Sequence, residues 1–194
     1  MTCFRAGAAG TNDEAVKPGP DVDAGFDFLE KLQPQILMGG NHEARLHRLA
    51  KHPNAIVSTL SQCIIGELNN LMEKLDCEYV PWAYKTWREV GNYKLMHGYI
   101  YNENACRDHA EAFGNVIHAH THRAGMAKGR RCDNPSGYSV GTLASIPNMD
   151  YAMSRRSTLS WSSGFVWGEY CDDKAVVWLH EQAQENPVWR LPVS

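Results

Sequence analysis

The apolar positions first fall into a helical rhythm at Val22, Phe26, Leu29 and Leu32, three or four residues apart, until Pro34 ends the run. This spacing predicts a helix from Asp21. Ile36-Leu37-Met38 is a short apolar stretch of strand length, and it passes directly into Gly39-Gly40-Asn41-His42-Glu43. A second helix is expected from Glu43, carrying Leu46 and Leu49 towards His52-Pro53. Ile56, Leu60, Ile64, Leu68, Leu71 and Leu75 form the strongest periodic stretch and predict a core-facing helix. Strand-like pieces follow at 77–80 and 93–96, the second running into His97-Gly98. A helix over 104–113 stops at Gly114, and a strand at 115–117 empties into His118-Ala119-His120-Thr121-His122-Arg123. Residues 138–143, 164–169 and 174–180 read as strands, with Asp172-Asp173 as a hairpin turn.

Helix, strand and polar loop thus recur three times, which implies an α+β fold with polar residues gathered at one rim of a sheet, where open sheets hold their sites. Residues 1–20 are rich in Gly, Ala and Pro without a period and are expected to be a loose segment. The domain is expected over 21–183, with a C-terminal tail at 184–194. A length of 194 residues suits one domain with a real core. The net charge of −3 advertises neither nucleic acid nor a membrane surface, and no apolar run approaches the ~20 residues of a bilayer span. The opening residues do not read as a signal peptide, and the six cysteines are scattered without a CxxC pair. A cytoplasmic protein with reduced thiols is the expectation.

Three polar clusters share one setting just after a short apolar strand: Gly40-Asn41-His42-Glu43, His97-Gly98 and His120-Thr121-His122. Imidazole nitrogens and an Asn oxygen suit divalent transition ions. His120 and His122 alternate by two, so in extended backbone both rings project to the same side. Each cluster also has a plain reading: His97 as a packed histidine, Asn41 as a helix cap, the histidines of 118–122 as chance in a chain with nine. Their joint occurrence in this order favours a metal site. Lys128, Arg130 and Arg131 read as a basic turn freed by Gly125 and Gly129, more a solvated loop than a polyanion contact. Trp82, Trp87, Trp161, Trp167 and Trp178 read as packing, and His109 and His180 as residues of regular elements.

The Gly-Asn-His-Glu and His-Thr-His blocks, with a His-Gly between them, resemble the motif series of calcineurin-like metallophosphoesterases, above all the small phage and bacterial type. Gly40-Asn41-His42-Glu43-Ala44-Arg45-Leu46 is similar to that group's form of the motif, and the resemblance extends over about residues 21–180. It implies a sandwich of two mixed β-sheets flanked by helices. It also implies hydrolysis of a phosphomonoester or phosphodiester by a metal-bridging hydroxide. Asn41, His97 and His120 would bind the second metal and His122 the first. His42 would sit beside the phosphate, stabilising charge or protonating the leaving oxygen. Arg45 or Arg123 would pair with a phosphate oxygen. The implied cofactors are Mn, Fe or Zn, two for the family and one or two here. Nucleotides and nucleic acid are among the implied substrates.

The sequence departs from this pattern in two ways. Ala119 stands where the family has Gly, and the earlier Asp-x-His and Gly-Asp motifs are missing. Asp13, Glu14, Asp21 and Asp23 are the carboxylates before and at the start of the helix from Asp21, and none follows an apolar strand. The fold is therefore expected to be truncated at its start, with the strands at 36–38 and 116–117 exposing an apolar edge. The N-terminal stretch, a second copy of the chain or a separate polypeptide would cover that edge. The alternative reading is a catalytically silent remnant, or a split half that needs a partner chain for the missing ligands.

Overall fold

The computed structural model describes residues 18–144, 146 and 160–182, so the expectations for most of the loose segment, for Asp13 and Glu14, and for the 184–194 tail lie outside the described residues. The described chain is a mixed α+β fold that divides into two compact units, Met1–Thr86 and Trp87–Ser194.

In the first unit, helix α1 (Pro18–Leu32) starts three residues before the expected start at Asp21, with proline in the first helical position, where its missing N–H costs nothing. The helix closes at Gln33, whose N–H donates to the Leu29 carbonyl at 2.9 Å and whose φ of 50° then turns the chain out of the helix. Strand β1 (Ile36–Met38) runs parallel to β2 (Glu78–Val80). Between them lie α2 (Asn41–Leu49) and α3 (Ala55–Lys74). Asn54 caps α3, its Oδ1 accepting the amides of Ile56 and Val57 at 2.9 and 3.2 Å. At the other end Asp76 enters the left-handed region (φ 50°). The amides of Asp76 and Cys77 then return to the carbonyls of Glu73 and Met72, a Schellman closure whose apolar contact joins Met72 to Cys77.

Ile64, Leu68, Leu71 and Met72 of α3 are buried against Phe26, Leu29 and Leu37. The expected stripe does not hold over its first two turns: Ile56 is 79% and Leu60 52% exposed, so the periodicity runs on past the surface that it packs against.

The second unit is built on a five-stranded sheet in the order β3 (Arg88–Val90), β4 (Tyr93–Met96), β5 (Val116–His118), β7 (Ser136–Val140), β6 (Ala124–Lys128). The three inner strands are parallel to one another, and the outer two are antiparallel to their neighbours. Val116 is fully buried and β5 is central, so the apolar edge expected there does not exist. Helix α4 (Ala105–Phe113) packs on the sheet through Ala110, with Met96, Val116, Trp87, Tyr99 and Phe113 around it. The helix crosses β7 so closely at Gly137 that a Cβ there would run into the Cys106 carbonyl. Residues 164–181 form an antiparallel hairpin, β8 (Gly164–Cys171) and β9 (Lys174–Glu181), turned at Asp172-Asp173 and carrying Trp167 stacked on Trp178 at 4.6 Å.

The basic residues Lys128, Arg130 and Arg131 are exposed, as the solvated-loop reading expects, and the surrounding contacts add detail. Gly125 lies in β6, the Lys128 ammonium donates to Ser136 Oγ, and Arg131 pairs with Asp133 at 2.9 Å while also donating to the Glu111 carbonyl. No helix among the described residues is long and apolar enough to cross a membrane.

Gly137→Ala is expected to force α4 off β7. Urea unfolding should show a loss of about 3 kcal/mol, the upper end of overpacking costs.

Candidate metal centre

Strands β4 and β5 lie side by side with Met96 opposite His118, and the ladder takes one further step through the Ala119 N–H to the His97 carbonyl at 3.1 Å. The two chains therefore leave the sheet together at the C-terminal ends of parallel strands, where loops are exposed but rigidly rooted. There His97 Nε2 lies 3.2 Å from His120 Nδ1, with ring centroids 5.1 Å apart and planes at 63°. In the metal-free chain this contact is an imidazole–imidazole hydrogen bond. The same spacing matches the ~3.3 Å between two nitrogens that each lie ~2.05 Å from one tetrahedral ion. The donor set fits a divalent transition ion on that measure.

The route by which His120 reaches His97 differs from the expected one. His120 (φ 66°) and His122 (φ 56°) are both left-handed, so the extended-strand alternation fails. The Thr121 N–H bonds the Ala119 carbonyl at 2.8 Å, closing a three-residue turn centred on His120. Left-handed backbone at a non-glycine residue costs on the order of 1 kcal/mol. Surrounding bonds hold it: Thr121 Oγ1 to Ser139 Oγ at 2.7 Å, both residues buried, and the Ser162 N–H to the His122 carbonyl at 2.9 Å. His122 packs edge-on against Trp161 with centroids 4.4 Å apart. The Tyr101 ring stands edge-on to His120 at 6.3 Å. Arg123, expected as a phosphate partner, donates through Nη2 to the carbonyls of Tyr101 and Asn102 at 3.0 and 2.8 Å, which ties the two rim loops together.

In the first unit the Gly-Asn-His-Glu block is the start of α2, just beyond β1. Gly40, not Asn41, is the cap residue, and the Glu43 carboxylate accepts the Gly40 N–H at 2.7 Å. Asn41 and His42 open the helix, and Arg45 lies one turn behind Asn41 on the same face. Arg45 Nη1 is buried with no hydrogen-bond partner among the described residues, and burial, then Arg48, lowers the guanidinium's pKa. Burial, then the Glu43 charge, pushes the Tyr79 hydroxyl up to about 12.

Two buried histidines lie beneath the rim. His109 on α4 and His118 on β5 are 0% and 1% exposed and stack at 4.1 Å with planes 27° apart. His109 falls at helical spacing with Ala105 and Phe113, a signal of burial that says nothing about what its nitrogens do. Burial first, then each other or neighbouring imidazoles, lowers both pKa values, that of His118 to about 3. Among the described residues, no three His, Cys, Asp or Glu side chains converge in a metal-holding group. Comparison of the chain with protein-family models, curated proteins and solved structures finds no match in any of the three.

Burial favours the neutral form of both stacked histidines in the folded chain. The unfolded chain therefore binds more protons below pH ~6.5, and stability falls as the pH drops from there towards about 3. Without added metal, this interval should cost about 3 kcal/mol between pH 6.5 and 4 for His118 alone. His118→Phe should flatten that part of the urea-midpoint profile relative to wild type.

Proposed function

We propose that the chain is a metallophosphoesterase-type hydrolase acting on a phosphomonoester or phosphodiester, with a two-sheet sandwich of that family's kind. The observation that carries the reading is the 3.2 Å approach of His97 Nε2 and His120 Nδ1 at the ends of adjacent parallel strands. His97 and His120 would hold one divalent Mn, Fe or Zn ion, and His122 would serve a second; the family resemblance would also make Asn41 a metal ligand. When bound, such an ion supplies Lewis acidity towards a phosphoryl oxygen and lowers the pKa of water. His42 would hold or deliver a proton at the leaving oxygen. Arg45, with a buried nitrogen that has no acceptor among the described residues, is the better of the two arginines for a phosphate oxygen, since Arg123 Nη2 is already engaged.

A second reading, the silent or split half, is favoured by the lack of a third His, Cys, Asp or Glu grouped with His97 and His120 among the described residues. It places the chain beside a partner polypeptide that supplies the remaining ligands.

The full chain, loaded with Mn or Zn, should hydrolyse a generic phosphodiester. Asn41→Ala, His97→Ala and His120→Ala should each lower metal content and reduce turnover roughly 100-fold or more. His42→Ala should keep its metal while losing roughly 100-fold in turnover. Metal bound without turnover in the wild-type chain favours the split half. No metal bound, again without turnover, points the same way, since the split half's remaining ligands come from its partner.

A further inference from the structure

We propose that His109 is the positioning residue of the candidate metal centre, fixing the distance between His97 and His120 by holding both of the chain segments that carry them. The proposal rests on the reading of those two histidines as ligands.

The partners of His109 determine its protonation. Nδ1 lies 2.7 Å from the Ala105 carbonyl, which can only accept, so Nδ1 carries the proton. Nε2 then presents its lone pair, and the amide N–H groups of Tyr99 and Ile100 donate to it at 3.0 and 3.3 Å. These are the first residues after His97-Gly98, so the imidazole holds the turn that ends the His97 segment. Its face stacks on His118, which lies two residues before His120 and closes β5. His118 is itself oriented by Nδ1–H donation to the Ala119 carbonyl at 2.9 Å. One fully buried side chain thus bonds one segment and packs against the other.

Gly98 makes the arrangement possible. It has φ 100°, and a Cβ there would lie 3.4 Å from both His109 Nε2 and His118 Nδ1. A residue that filled the space of His109 without its two nitrogens would leave the part-buried amides of Tyr99 and Ile100 without this acceptor and the His97 turn without an anchor. Ligand orientation by hydrogen-bonded outer groups typically changes metal affinity 10–100-fold.

The test compares wild type, His109→Leu, His109→Gln and the core control Val116→Ala, each as the full chain. Cobalt(II) absorption reads affinity and ligand geometry, and thermal melts read stability. His109→Leu should weaken cobalt binding 10–100-fold and change the d–d spectrum. Glutamine can both donate and accept, so it should restore affinity to within about threefold of wild type. Val116→Ala should lower the melting temperature while leaving affinity and spectrum unchanged. Wild-type affinity in His109→Leu, or an equal loss in Val116→Ala, overturns the proposal. If the leucine variant does not fold, His109→Asn, too short to span Ala105 and Tyr99, replaces it in the comparison with glutamine.

If the wild-type chain binds no cobalt, the ligand reading fails for the chain alone, and imidazole nitrogen NMR of the metal-free chain then decides the positioning claim. His109 should be protonated at Nδ1, and the leucine variant should shift the His97 and His120 resonances while the glutamine variant does not. Unchanged resonances overturn it.

Discussion

Parallel pairing of β4 with β5 is the interaction on which the candidate centre depends. The Met96–His118 register and the extra bond from Ala119 to the His97 carbonyl bring two segments distant in sequence to the same height at the sheet rim. A slip of either strand by one residue would turn that strand's buried face outward, exposing Met96 or Val116, so the hydrophobic core fixes the register. The core thereby also sets where the two histidines emerge. Helix α4 secures the arrangement from one face, since its approach to Gly137 leaves no room for it to settle elsewhere.

The local chemistry at the rim goes against ordinary backbone preference. His120 and His122 take left-handed conformations that glycine would occupy more cheaply, and a closed set of hydrogen bonds from Thr121, Ser139, Ser162 and Arg123 holds them there. In the stacked pair beneath, His109 donates from Nδ1 and accepts at Nε2, while His118 donates from Nδ1 and its buried Nε2 meets no partner among the described residues. Rim and support therefore use imidazole in two ways: exposed enough to reach a ligand above, and dry and fixed below.

The sequence made the elements legible wherever one physical signal dominated. The strands at 36–38 and 93–96 are short apolar runs bounded by polar loops, and the structure places them at those limits. Strand β6 escaped because Ala124-Gly125-Met126-Ala127-Lys128 has little intrinsic strand preference and takes its form from pairing with β7. The exposed start of α3 escaped for a related reason: periodicity reports which face is apolar, not how far the neighbouring surface extends. At the site, the polar clusters were visible as motifs, and the proximity of His97 and His120 followed from strand order. The left-handed backbone at His120 and the roles of His109 could not be read, because both arise from tertiary hydrogen bonds that leave no pattern in one dimension.

The β8–β9 ribbon carries its own optical marker. Two indoles stacked at 4.6 Å, with planes 23° apart, are close enough for their excited states to couple. The hairpin should therefore contribute a paired band of opposite signs to the far-ultraviolet circular dichroism, separate from the backbone signal. Loss of that couplet on heating would time the opening of the ribbon independently of the five-stranded sheet, and so reveal whether the second unit melts as one body or sheds its hairpin first.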